Sequence, residues 1–153
     1  MNVYVASSWR NPLQPALVRI LRRMGHATYD FRNPHKGNHG FHWQKVNPDY
    51  FGGSVPAPQW RAMVDHPIAR DGYNIDMANL KSCDVCVLLL PAGRSSCFEF
   101  GWAMSAGKRG IILALDNEPP ELMFREAVIC GTMDEFFDAF NFERRESSIG
   151  PRT

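Results

Sequence analysis

Residues 85–91, "VCVLLLP", form an unbroken apolar run closed by a proline. A strand with one face in water alternates apolar and polar side chains. A run that is apolar at every position suits a parallel strand buried on both faces. Parallel strands need crossover connections, most often helices, so this run points to an α/β architecture if the rest of the chain supplies the partners.

It supplies them in alternation. "VYVAS" (3–7) reads as a first strand, and Pro12 and Pro15 then open a stretch in which Leu17, Val18, Leu21 and Met24 recur at helical spacing. Gly25 ends that helix and "HATYDF" (26–31) restarts an extended segment. Residues 32–70 are dense in Gly, Pro, Asn and aromatics and read as a long loop insertion, a length that usually serves function. From Asp71, the positions Ile75, Met77, Ala78 and Leu80 suit a helix leading into the 85–91 strand. A helix beginning near residue 93, a strand at 110–116, a short strand at 126–130 and an amphipathic helix at 132–142 complete the pattern. In that last helix Phe136, Phe137 and Phe140 are available to the core, and residues 143–153 read as a frayed tail. The expectation is a single domain over 1–142: a flavodoxin- or Rossmann-like, doubly wound α/β sheet of about five mostly parallel strands, order 2-1-3-4-5, with helices on both faces.

Composition narrows the function. The formal net charge of +1, from 17 basic and 16 acidic residues, offers no broad basic face, which argues against a nucleic-acid partner. No apolar run approaches the roughly 20 residues of a membrane span, and "MNVYVASSWR" lacks a signal-peptide pattern, so no membrane partner and a cytoplasmic location are expected. The four cysteines lie in or beside apolar segments and read as free thiols. Cys83-x-x-Cys86 has a redox spacing, but it straddles a helix end and a strand start instead of opening a helix, so buried structural thiols are expected.

In a doubly wound sheet, ligands sit beyond the carboxyl ends of the strands, at the point where connections leave the first strand in opposite directions. The loops there are "SSWRNP" (7–12) and "PAGRSSCFE" (91–99). Ser7, Ser8, Arg10, Arg94, Ser95 and Ser96 are candidate donors to a phosphate or another anion, helped by main-chain N–H groups at a helix N-terminus. The Walker and G-x-G-x-x-G patterns are absent.

Glu99 stands out in this cleft, flanked by Phe98, Phe100 and Trp102. Ser96-Cys97-Phe98-Glu99 also matches the S-x-x-E capping box, and the same spacing recurs at Thr132-Met133-Asp134-Glu135. Cap and reagent are both open at this stage. A first-turn carboxylate is kept ionised by the helix dipole, which a nucleophile requires. His35, His39 and His42 are spaced like metal ligands, but Gly37 and Gly40 deny them one helical face, so no metal site is expected. Phe41, His42, Trp43 and Trp60 read either as a mobile cover that stacks on a base or as a packed surface loop. Trp9 has the same two readings: stacking on a base or plugging the end of the first strand. Trp102 is expected to pack its helix onto the sheet.

Three segments, "VYVASSWR", "DMANLKSCDVCVLLL" and "FEFGWAMSAGKR", resemble the nucleoside 2-deoxyribosyltransferase-like superfamily, including its deoxynucleoside 5'-monophosphate N-glycosidases. The resemblance covers most of the chain outside 32–70 and the tail. It implies that Glu99 is the nucleophile that attacks the anomeric carbon and expels the base through a covalent glycosyl-enzyme. It implies further that Tyr4 orients this carboxylate and that Asp76 holds the sugar or protonates the departing base. Ser8, Arg10 and Ser95 or Ser96 would then hold a 5'-phosphate, with Arg94 nearby. The family's partner-subunit contact after the fourth strand maps to Asn117, which implies a homodimer or higher homo-oligomer. Six residues before the glutamate, transferases of this family carry Asp and phosphate-preferring hydrolases Ser; this chain has Gly93. The implied partner is a small-molecule nucleoside or nucleotide, with no cofactor. Two alternatives remain at this stage: an NAD-glycohydrolase of TIR-like type, and a nucleotide-binding module without turnover.

Overall fold

The computed structural model describes residues 1–146, with side chains through residue 141. Five strands, β1 (Asn2–Ser7), β2 (Ala27–Tyr29), β3 (Val85–Leu89), β4 (Arg109–Leu113) and β5 (Val128–Cys130), form one sheet in the order β2-β1-β3-β4-β5. Every pairing is parallel. The helices are α1 (Gln14–Arg23), α2 (Ala57–Asp65), α3 (Pro67–Ser82), α4 (Arg94–Ser105) and α5 (Met133–Glu146).

Side-chain alternation along the strands sorts the core into two layers. Val3, Val5, Val85, Val87, Leu89, Ile111 and Leu113 point to one face, where Leu17, Val18 and Leu21 of α1 and Phe136 and Phe140 of α5 cover them. The intervening residues Tyr4, Ala6, Cys86, Leu88 and Ile112 point to the other, under Leu80 of α3 and Phe100 and Ala103 of α4. Each fully buried side chain of this size contributes about 1.5–3 kcal/mol. β3 is buried along its whole length, as its unbroken apolar run requires.

Local chemistry sets the element ends. Gly25 stops α1 at φ +85°, a conformation that disfavours any residue with a Cβ. The edge strand β2 is only three residues long. Its Thr28 carbonyl accepts from the Arg22 guanidinium through Nε (3.2 Å) and Nη2 (2.9 Å).

Two sequence expectations change here. The 32–70 segment is not all loop: it holds α2, the first turn of α3 and a short 3-10 turn at Trp43–Lys45. The tail expected from residue 143 starts as helix, since α5 continues to Glu146; the remainder lies outside the described residues. Among the described residues, no helix is long and apolar enough to cross a membrane.

Candidate active site

α3 and α4 lie on the same face of the sheet, and each turns one carboxylate toward it. On α4 the stripe Ser96, Glu99, Phe100, Ala103 follows i, i+3, i+4, i+7; Ser96, Phe100 and Ala103 are buried and Glu99 is half-buried among them. On α3 the half-buried Asp76 precedes the buried Leu80 by one turn. Beneath them Tyr4 of β1 and Tyr29 of β2 stand opposite each other in register, their rings stacked at 5.2 Å and 24°. Tyr4 is only 1% exposed.

The four side chains form one polar cluster. The Tyr29 hydroxyl donates to Asp76 Oδ1 at 2.5 Å, a short bond of the kind made to an ionised acceptor. The Tyr4 hydroxyl acts on Glu99 in the same sense, favouring its charged form. Burial, and after it the charge of Asp76, outweigh that bond and push the Glu99 carboxyl up to about 8. Burial also pushes Asp76 up, against the bond from Tyr29. Both tyrosines are driven up by burial and then by the acids around them, so they remain protonated donors. Asp76 therefore sits as the acceptor of Tyr29, while Glu99 holds a proton at neutral pH.

This overturns two expectations for Glu99. It is not a capping residue, because α4 begins at Arg94 with Gly93 as its N-cap, and Glu99 falls in the second turn. Nor does the dipole keep it ionised: no acid lies in the first turn of α4, and burial beside a like charge dominates. The other S-x-x-E-type spacing does cap its helix. Thr132 Oγ1 accepts from the Glu135 N–H (3.1 Å), and Glu135 Oε2 accepts from the Gly131 N–H (2.7 Å).

The expected anion donors divide into two groups. Ser7 and Ser96 are buried, and their hydroxyls donate to main-chain carbonyls, Ser7 to Leu89 (2.9 Å) and Ser96 to Ser7 (2.8 Å). They stitch β1 to β3 and α4, so neither hydroxyl hydrogen is left for a ligand. Arg10, Arg94 and Ser95 are exposed. Ser8 is half-buried, and its Oγ accepts from the Arg10 N–H at 3.1 Å. Gly93 has an ordinary φ of −97°, and a Cβ there would meet nothing within 4 Å, so no local geometry demands glycine. Asn117 is exposed after β4, its N–H donating to Asp116 Oδ1 at 2.8 Å.

The insertion reaches the site. His42 packs on Trp9 at 4.3 Å, and Trp43 meets Phe41 edge-on at 4.8 Å. Phe41 lies against α3 so closely that a Cβ on Gly72 would come within 3.1 Å of it. Trp60 on α2 is exposed and Trp102 packs against the α3/α4 core layer. A cavity of about 130 Å³ opens between α3 and the insertion, lined by Asp76, Ile75, Asp71, Phe41 and Lys45 among others. A larger cavity of about 430 Å³ runs along the β2 edge and contains neither acid. His35 pairs with Asn38 at 3.1 Å, and among the described residues no three His, Cys, Asp or Glu side chains gather to hold a metal ion. All four cysteines are free thiols; Cys83 and Cys86 are buried.

Several residues that shape the site are not singled out by the sequence. Tyr29 requires knowledge of the β1/β2 register. Asn11 is fully buried and donates to the carbonyls of Leu89 and Pro91, each at 3.3 Å, joining the two loops at the carboxyl ends of β1 and β3. Arg32 donates from the insertion into the β1–α1 loop. For Asn11 the available signal is an Asx turn before Pro12, with its Oδ1 accepting from the Leu13 N–H at 2.9 Å.

No family model matches the chain, and no curated protein is similar to it in sequence. Among solved structures, a 2-deoxyribosyltransferase from the psychrotolerant bacterium Bacillus psychrosaccharolyticus superposes with a TM-score of 0.54. The match covers 88% of this chain and 88% of that one, at 19% sequence identity. That enzyme is described as a biocatalyst for the synthesis of antiviral and antitumoral nucleosides. The chain has the nucleoside 2-deoxyribosyltransferase-like fold, with its five parallel strands in the order 2-1-3-4-5.

Proposed function

We propose that the protein breaks the N-glycosidic bond of a nucleoside or nucleoside 5'-monophosphate through a covalent glycosyl-enzyme on Glu99. The observation that carries this reading is the pair of half-buried acids, each served by a tyrosine hydroxyl, in a fold shared with a 2-deoxyribosyltransferase.

The raised proton affinity of Glu99 favours one order of events. Glu99 must lose its proton before it can attack, and Asp76 needs one to deliver. Transfer of that proton from Glu99 to Asp76 leaves a carboxylate nucleophile and a general acid. The Glu99 oxygen then bonds to the anomeric carbon as the carbon–nitrogen bond breaks, and the base nitrogen, which keeps the bonding electrons, takes the proton from Asp76. Water or an acceptor base next attacks the same carbon, its proton passes to Asp76, and Glu99 is released. Tyr4 stabilises the Glu99 carboxylate once it forms. Arg94 and Ser95, exposed in the first turn of α4, and Arg10, exposed in the β1–α1 loop, suit a 5'-phosphate.

The test is incubation with a panel of nucleosides, 5'-monophosphates and NAD, with and without an acceptor base, and chromatographic detection of free base. Wild type is expected to release base from a nucleoside or 5'-monophosphate. Glu99→Ala is expected to lose about 10⁴-fold or more in turnover while keeping a cooperative unfolding transition. Turnover retained in Glu99→Ala overturns the reading.

A further inference from the structure

We infer that Arg32 is a positioning residue that fixes the β1–α1 loop and, through it, the Trp9–His42 wall, which meets Gly40 at the lining of the Asp76 cavity. One nitrogen of its guanidinium, Nη2, faces three carbonyls of that loop: Trp9 (2.8 Å), Asn11 (2.8 Å) and, more distantly, Ser8 (3.4 Å). The two shorter contacts account for its two hydrogens. The same guanidinium lies 5.5 Å from the Trp9 ring centre and 5.8 Å from that of Phe31. Trp9 is thus held by its main chain and by its ring, and its ring also meets Phe31 edge-on at 5.1 Å and His42 at 4.3 Å.

Arg32 is itself anchored. Asp30 Oδ1 accepts from the Arg32 N–H (3.1 Å) and from Gln14 Nε2 (3.0 Å), and Oδ2 accepts from Asn33 Nδ2 (3.1 Å). Burial alone would raise the Asp30 carboxyl, but these bonds together hold it below the usual range, so the anchor stays charged. Gly40 closes the arrangement from the insertion: at φ +76° and buried, it leaves no room for a Cβ, which would sit 2.9 Å from the Trp9 ring. The β1–α1 loop, the Phe31 ring and, through Trp9, the insertion therefore meet around one guanidinium. Lysine has the charge and the donors but not the flat guanidinium face that lies over the Trp9 and Phe31 rings.

The kinetic consequence rests on the N-glycosidase reading. Loosening this wall weakens substrate binding without touching Glu99 or Asp76, so Arg32→Lys and Arg32→Ala are expected to raise KM about tenfold or more with kcat within about twofold. Added guanidinium ion at low millimolar concentration is expected to restore KM in Arg32→Ala, while an equal concentration of urea is not. A readout independent of turnover is the indole N–H resonance of Trp9, assigned by its loss in Trp9→Phe. That resonance is expected to shift and broaden in Arg32→Ala and to return with guanidinium. Wild type inactive on every substrate would overturn the N-glycosidase reading and leave the Trp9 resonance to decide the role of Arg32. An active wild type whose Arg32 variants keep its KM, or a Trp9 resonance indifferent to Arg32→Ala, overturns the inference.

Discussion

On the face of the sheet under α1 and α5, Val3, Val5, Val85, Val87 and Leu89 meet Leu21, Phe136 and Phe140 in a closed aliphatic and aromatic layer. The alternate residues of the same strands, under α3 and α4, include Tyr4, and there two hydroxyls and two carboxylates enter the packing. One register thus serves two purposes. The first layer supplies stability, which leaves the second free to hold protonated and charged groups that cost stability.

That contrast can be broken most severely from the closed side. Phe136→Ala, at a fully buried position, is expected to cost about 3–5 kcal/mol in urea denaturation. A loss under about 1 kcal/mol would mean that the two layers are not specialised. On the open side the sign reverses with pH. The Glu99 value of about 8 lies above the ordinary 4.5, so the native state binds this proton more tightly than the unfolded chain does. The stabilisation is complete below the unfolded value and is lost as pH rises through the folded one. Glu99→Gln escapes that loss, so melting curves should show the variant gaining on wild type between pH 4.5 and 8. After allowance for partial solvent exposure the gain is about 2 kcal/mol.

The same proton predicts the rate profile. kcat/KM should fall above about pH 8, where the acid pair loses the proton that the departing base needs. Tyr29→Phe removes the bond that lowers Asp76, so the acidic limb of the profile should move to higher pH. The accompanying loss in rate is about tenfold. An unmoved acidic limb would separate Tyr29 from the chemistry. Smallest is Gly93→Ser. With open space at the Cβ and an N-cap position to fill, it should alter stability by only a few tenths of a kcal/mol, and any change in preference for 5'-monophosphates over nucleosides would then report substrate contact alone.

The strand order and the acid pair were legible for different reasons. β3 announces itself because burial on both faces leaves no polar position to blur the run, and β4 does so over residues 110–113, after Arg109. α2 is hidden because Met63 is its only buried residue and the stretch around it is crowded with Gly, Pro and Asn, which read as loop. Ser96 and Glu99 show why spacing misleads: an i, i+3 pair is equally a capping box and part of a sheet-facing stripe. Gly93, three residues earlier, takes the cap, and the carbonyl of Ser7 on β1 claims the serine. The resemblance picks out Glu99, Asp76 and Tyr4, but their proton affinities depend on tertiary burial, which no local pattern encodes. Tyr29 and Arg32 depend on strand register and on where a long insertion folds back, and neither is written in nearby residues.

The hold of Arg22 on the Thr28 carbonyl also bears on how these molecules behave in a crowd. A three-residue outer strand is a short template for another chain to extend, and here an acceptor on it is already taken by a fixed cation. An approaching strand would have to displace the guanidinium before it could form its first rung. Removing Arg22 would therefore cost little in the folded monomer and would be felt first as self-association on concentration.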